Sequence, residues 1–401
     1  MSDTAPRRLA LGLMSGTSRD GIDAALLETD GQMFVQAGPW DSLAYPDRFR
    51  QRLADAIAGR GDLDAVEREL TDRHAEAVDA LLRKAGVPVH AVRAIGFHGH
   101  TVAHDPSRRH TRQIGDCSRL ARTTGIDVVG DFRLADVAAG GQGAPFAPYY
   151  HRARASGLER PLAVLNLGGV GNVTWLGRRF DDILAFDTGP GNALLDDLVA
   201  QRTGRGYDRD GELSAAGQVD QDALAVLMDH PFFDRAPPKS LDRDDFTGSA
   251  VAGLADADAA ATLAAFTAES VAAARGHLAQ PPVRWLVTGG GRHNPTLMRM
   301  LAARLSAPVD PVEAAGWDGD ALEAQAFAYL AVRVAAGLAA VRSDHHGRAA
   351  GDARRPALPG AGRGLRLPDP NPPGPRRCRR VRGRWSADSP RCSGSTRRAC
   401  W

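Results

Sequence analysis

Apolar residues along this chain fall into short unbroken runs and longer periodic stretches. Residues 9–14 (LALGLM) and 22–27 (IDAALL) flank SGTSRDG, a pattern that predicts two buried strands joined by a tight turn. Between 47 and 84, Phe49, Leu53, Ile57 and then Leu70, Val78 and Leu81 follow a helical period, broken near GRGD at 59–62, so two helices are expected. Strands follow at 92–97 and 126–130, and DVAAGGQGAPFAP reads as a long glycine and proline loop.

The second half restarts the same grammar. Strand 162–167 (LAVLNL) meets GGVGN, strand 172–176 follows, and strand 183–187 (ILAFD) enters TGPGN ahead of a helix at 193–202. An Ala-rich helix spans 258–278, strand 283–288 enters GGGRHNP, and a helix covers 295–305. Residues 320–341 predict an amphipathic helix with Asp320 at its N-cap. Beyond it the periodicity stops.

With 401 residues, 43% hydrophobic and 24% charged, the chain is globular and long enough for two packed domains. No run of 18 apolar residues occurs and the opening apolar stretch is too short for a signal peptide, so a cytoplasmic, non-membrane protein is expected. The net charge of +2 hides an asymmetry: residues 342–401 hold 15 Arg, no Lys and 4 Asp, whereas residues 1–341 hold 35 basic and 44 acidic groups. Three of the four cysteines also lie in that tail, leaving Cys117 as the body's sole thiol and excluding a disulfide framework there. The tail reads as a disordered basic extension or as an out-of-frame translation of a GC-rich gene. Nucleic-acid binding is not expected.

Five turns that follow predicted strands are rich in Gly, hydroxyls and carboxylates: SGTSRDG, HGHT, GGVGN, FDTGPGN and TGGGRHNP. Glycine lets backbone N–H groups approach an anion closely, and a phosphate chain is the natural guest. A P-loop is excluded because neither Lys84 nor Lys239, the only lysines, sits in its pattern. No turn has dinucleotide-fold spacing, and His98, His100, His104 and His110 match no standard zinc pattern. What remains is a two-domain nucleotidase in which a hairpin from each lobe grips the ATP tail, one at 15–21 and the other at Gly168, Gly169 and Asn172. Asp20 fits either a stabilised turn or a carboxylate holding hydrated Mg²⁺ through water. Asp187, at the end of an apolar strand, is expected to face the cleft as a base with a raised pKa, or to cap an Asx turn. Gly289, Gly290, Gly291 and Asn294 form a loop suited to a nucleoside.

Taken in order, GLMSGTSRDGIDAAL, FHGHTVAHDP, DFRLADVAAGGQGAPFAP, LNLGGVGN, FDTGPGN, HPFFDRAPPKSLDRDDF, TGGGRHNPTLM and DALEAQAFAYLAVR resemble the anhydro-N-acetylmuramic acid kinases over about residues 9–341. That resemblance implies a two-lobed α/β fold of the actin-like ATPase, ribonuclease H-like type with a central cleft. Residues 1–150 would form the first lobe and 151–341 the second. It implies an ATP- and Mg²⁺-dependent reaction that hydrolyses the 1,6-anhydro ring of a cell-wall recycling sugar and phosphorylates the freed oxygen. By motif, Gly16, Thr17, Ser18, Arg19, Asp20, Gly21, Ile22 and Asp23 would hold the ATP phosphates, Asp187 would be the base, and Arg133, Glu323 and His98 would face the sugar. A homodimer is also suggested. Arg19 and His100 depart from the family, which usually has an apolar residue and Gln there. A regulatory or inactive nucleotide-binding relative, or a kinase for another sugar, is the competing reading.

Overall fold

A computed structural model describes residues 5–16, 19–105, 108–138, 141–340 and 377–378. Thr17, Ser18 and nearly all of the basic tail therefore lie outside the described residues.

The predicted first hairpin is β1 (Arg8–Met14) and β2 (Gly21–Thr29), paired antiparallel from Arg8 opposite Thr29 to Met14 opposite Asp23. Strand β3 (Val35–Ala44) extends it on the outer edge. Gly38 and Pro39 hide this strand in the sequence, and an edge strand tolerates such residues because its outer face needs no ladder partner. The expected helices are α1 (Asp47–Ile57) and α2 (Leu63–Ala85); the Asp62 carboxylate caps α2 and Gly86 ends it in the left-handed region. After β4 (Ala94–Phe97), strands β5 (His100–Asp105) and β6 (His110–Ile114) form a small ribbon, followed by α3 (Cys117–Thr124), β7 (Val128–Val129) and α4 (Phe132–Ala138). The first sheet runs β7-β4-β1-β2-β3, with residues 377–378 pairing at the outer edge of β7.

Helix α5 (Pro148–Arg154) leads into β8 (Leu162–Leu167), β9 (Val170–Leu176) and β10 (Ile183–Pro190). Helices α6 (Ala193–Thr203), α7 (Glu212–Ala216), α8 (Gln221–Met228) and α9 (Asp256–Ala274) follow. Then come β11 (Arg284–Thr288), α10 (Pro295–Arg304), β12 (Val309–Pro311) and α11 (Leu322–Ala335). The second sheet runs β10-β9-β8-β11-β12. In both sheets an antiparallel three-strand meander is extended by two parallel strands on the side of its first strand. The duplicated topology is that of the two-lobed, ribonuclease H-like fold.

Helix α11 departs from the expected division, since it comes from the second half of the chain and packs on the first sheet. Gly12 and Gly96, opposite each other in parallel strands β1 and β4, explain the fit. A Cβ on Gly12 would lie 1.7 Å from the Ala324 carbonyl oxygen, and one on Gly96 would lie 2.0 Å from that of Phe327. The helix backbone thus rests directly on the strands. Leu11, Leu13, Ile22 and Ile95 pack on the other side with α1 and α2. Strands buried on both faces explain the unbroken apolar runs. Asp320 does not cap α11: the N-cap is Ala321, and the Asp320 carboxylate pairs with Arg292 instead. Among the described residues, no helix is long and apolar enough to cross a membrane.

Candidate active site

The second sheet carries a row of polar side chains across four adjacent strands. Thr288 of β11 is in register with Asn166 of β8, Asn166 with Asn172 of β9, and Asn172 with Asp187 of β10. All four line one cleft. Across it stand Arg133 from α4 and Glu323 from the first turn of α11, with Met14, Phe146 and Phe327 supplying an apolar wall.

Asp187 lies within β10, not at its end: the strand continues to Pro190, with a register shift between Asp187 and Gly189. The segment after Lys239 holds it from two sides. Its N–H donates to the Lys239 carbonyl at 3.0 Å, and the Leu241 N–H donates to its Oδ2 at 2.8 Å. Burial pushes its pKa up to about 7, opposed by the Leu241 hydrogen bond and the Arg133 charge. A carboxyl poised near neutrality is suited to accept a proton.

Arg133 is fixed by donating from Nε to His98 Nε2 at 2.9 Å and from Nη1 to the Gly143 carbonyl at 2.7 Å. Burial lowers its pKa, while the Glu323 and Asp187 carboxylates favour its charge. His98 accepts at Nε2, so its proton sits on Nδ1, which donates to the Gly99 carbonyl at 2.9 Å. Burial, reinforced by Arg133, keeps this ring neutral. His98 therefore stands behind Arg133, against the Phe327 ring, and acts on the cleft through that guanidinium. Glu323 opens into the cleft, yet protein atoms surround it there; burial raises its pKa and Arg133 opposes the shift. Its Oε1 accepts from Asn166 Nδ2 at 3.3 Å.

At the first hairpin tip, the Arg19 N–H donates to the Gly16 carbonyl at 3.1 Å, and Arg19 adopts φ 57°. Gly21 leaves no room for a side chain, as a Cβ would lie 2.6 Å from the Leu43 carbonyl oxygen. Ile22 points into the core, so it offers only backbone to a ligand. The tip is braced from behind by Tyr45, whose hydroxyl donates to Ser15 Oγ at 2.9 Å, and by His100, whose Nδ1 lies 3.0 Å from the same oxygen. Burial, with a smaller effect from Arg19, brings His100 down to about 4. Asp23 is pushed up to about 7 by burial, opposed by a Ser42 hydrogen bond and reinforced by the Asp20, Glu323 and Asp320 carboxylates.

At the second tip, Gly168 and Gly169 turn their carbonyls to the start of α6: Asn192 donates to Gly168 at 2.7 Å, and Gly191 donates to Gly169 at 2.9 Å. Asn192 Nδ2 also donates to the Leu167 carbonyl at 2.9 Å. In the next loop, a Cβ on Gly289 would meet Asn166 Oδ1 at 2.4 Å and one on Gly291 would meet Leu167 Cβ at 2.6 Å, whereas Gly290 has room beside Asn192. Two of the three glycines thus serve close packing against the end of β8. Asn294 is buried and caps α10, accepting from the Leu297 N–H at 3.0 Å. Arg292 fixes the loop through ion pairs of 2.9 Å to both Glu313 and Asp320, and its Nη1 donates to the Gly289 carbonyl.

Sequence reading marked the turns that contain Thr288, Asn192 and Arg292 without singling those residues out, and assigned Asn166 no role. Strand register places Asn166 and Thr288, ion pairs place Arg292 and hydrogen bonds to Leu167 and Gly168 place Asn192, none of which is visible in a linear pattern. Among the described residues, no group of three His, Cys, Asp or Glu side chains is placed to hold a metal.

The family model described as anhydro-N-acetylmuramic acid kinase matches residues 8–361. The chain belongs to the anhydro-N-acetylmuramic acid kinase family. The match extends into the stretch beyond 341. A kinase of this name from Paramagnetospirillum magneticum is 57% identical over 334 residues, covering 82% of this chain and 93% of the relative. Another, from Rhizorhabdus wittichii, is 54% identical over 336 residues, covering 82% and 92%. Among solved structures, the Acidaminococcus fermentans (R)-2-hydroxyglutaryl-CoA dehydratase component A aligns with a TM-score of 0.46 at 14% identity, over 82% of this chain and 99% of that one. Membership in a kinase family implies ATP as phosphoryl donor and a small sugar as acceptor.

Proposed function

We propose that this kinase converts anhydro-N-acetylmuramic acid, ATP and water to N-acetylmuramate 6-phosphate and ADP, with Asp187 as the base. The observation that carries this reading is the in-register row ending on Asp187, facing Arg133 and Glu323 across one cleft. Asp187 takes a proton from a water that attacks the anomeric carbon. The bond from that carbon to the bridging oxygen breaks, and the freed oxygen takes the γ-phosphoryl group. Arg133 and Glu323 face the sugar, with Asn166 holding Glu323. The apolar wall excludes competing water from the attack site.

Phosphoryl transfer depends mainly on placement and charge neutralisation. The described residues of the first hairpin, Gly16 and 19–23, and the second tip at Gly168 and Gly169 grip the phosphates, while Gly290 and Asn192 lie toward the nucleoside. The carboxylates of Asp20 and Asp23 suit hydrated Mg²⁺: burial raises the Asp23 pKa, the Asp20, Glu323 and Asp320 carboxylates add to that shift, and a cation bound there would offset both. Bound there, Mg²⁺ neutralises charge on the phosphate chain.

The test is ADP release by the purified chain with and without anhydro sugar. Release that requires the sugar, and that Asp187→Asn abolishes while nucleotide still binds, is expected. Equal release without sugar contradicts the assignment.

A further inference from the structure

Lys239 is buried at 6% exposure, and its ammonium lies against backbone carbonyls, an imidazole and aromatic rings. Nζ donates to the Phe232 carbonyl at 3.2 Å and to that of Phe233 at 3.5 Å, and lies 3.3 Å from His277 Nε2. The Phe232 ring is 4.5 Å from the charge and the Phe186 ring 5.8 Å. His277 itself is kept neutral by burial and by the lysine's charge. Asp234 and Arg235 act on the ammonium with opposite signs. Burying a cation in this way is costly, and filling the same space with an apolar chain would be easier. An ammonium, however, can donate three hydrogen bonds in divergent directions.

What those bonds fix is the segment 239–241. Its first residue accepts from the Asp187 N–H, and its last donates to Asp187 Oδ2. Between them, Ser240 Oγ donates to Gln142 Oε1 at 3.0 Å, and the neighbouring Gly143 carbonyl receives Arg133. One short segment therefore touches the base directly and reaches the guanidinium opposite it through a single loop.

We propose that Lys239 is a positioning residue for the base: its ammonium pins segment 239–241 to the 232–233 turn and to His277, just beyond α9, so that the Leu241 N–H stays on the Asp187 carboxylate. This inference rests on Asp187 being the base. Loosening the segment weakens a hydrogen bond that favours the ionised carboxylate, so the pKa of the base should rise and its aim should degrade.

The experiment compares kcat/KM against pH for the full chain, Lys239→Met and Asp187→Asn. Lys239→Met is expected to lower kcat about 10- to 100-fold with the sugar KM changed less than about twofold. Its acid limb should move up by about half to one pH unit. Loss of kcat with the limb unmoved, or no loss, overturns the proposal. Should Lys239→Met fail to fold, His277→Phe removes one ammonium partner and is expected to move the limb in the same direction by a smaller amount; an unmoved limb there overturns it equally. Asp187→Asn separates the two readings. If that variant still turns over with an acid limb like the parent's, the assignment of the base has failed, whereas an inactive Asp187→Asn beside an unshifted Lys239→Met means that only the positioning role has failed.

Discussion

Arg133 and His98 form a donor and acceptor pair in which the arginine Nε lies 2.9 Å from the histidine Nε2, both largely withdrawn from water. The histidine is neutral, so the pair neutralises none of the guanidinium's charge. Arg133 remains a cation aimed into the cleft, balanced by Asp187 and Glu323.

Removing the acceptor should therefore harm the site without removing a catalytic group. His98→Leu leaves the Arg133 Nε without its partner, a loss of about 1–3 kcal/mol for a buried donor, and should lower kcat/KM for the sugar about 10- to 100-fold. His98→Gln, whose side-chain oxygen can accept the same hydrogen, should recover most of it. Steady-state kinetics of the two variants checks this, and equal damage from both would show that ring packing against Phe327 matters more.

Asp187 should govern both activity and stability as pH changes. In the proposed role as base it acts as the carboxylate, so kcat/KM should fall as pH drops below about 7. For stability, the folded pKa of about 7 lies above the unfolded value of 3.8. Between these values the unfolded state gives up its proton first, so this group lowers stability progressively from about pH 4 to 7 and by a constant amount above. At pH 8 the penalty is at most roughly 4 kcal/mol. Asp187→Asn lacks it, so the variant should gain more in Tm relative to the parent at pH 8 than at pH 5, while losing about 100- to 10,000-fold in kcat. Thermal melts at the two pH values, with turnover measured alongside, check both parts.

The seat of α11 should be intolerant of a single methyl group. Gly12→Ala and Gly96→Ala place a Cβ against helix backbone that cannot rotate away, and each should cost at least about 3 kcal/mol. Gly157, with nothing within 4 Å of its would-be Cβ, supplies the control, and Gly157→Ala should stay within about 0.5 kcal/mol. Denaturant unfolding of the three variants measures the difference.

Much of this was legible in the sequence because the fold writes its centre in local patterns. Strands buried on both faces leave continuous apolar runs, and the phosphate-type turns between them leave Gly-rich tips, so both hairpins and the stretch around Asp187 stand out. β3 was hidden by Gly38 and Pro39, which an edge strand tolerates. The lobe to which α11 belongs was hidden because a helical period says which face is apolar and not which sheet covers it. Asn166 looks like an ordinary interruption of LAVLNL until register aligns it with Asn172 and Asp187. Asp320 has the right residue type for a cap, but Arg292, 28 positions earlier, takes its carboxylate.

In the proposed reaction the carboxyl group at 187 directs water to the sugar and not to the nucleotide. Running the reaction in ¹⁸O-labelled water, quenched before ring opening can exchange the anomeric oxygen, tests it most directly. One heavy oxygen at C1 of the sugar phosphate and none in its phosphoryl group is the expected result. Label in the phosphoryl group or in free phosphate, with C1 unlabelled, would contradict it.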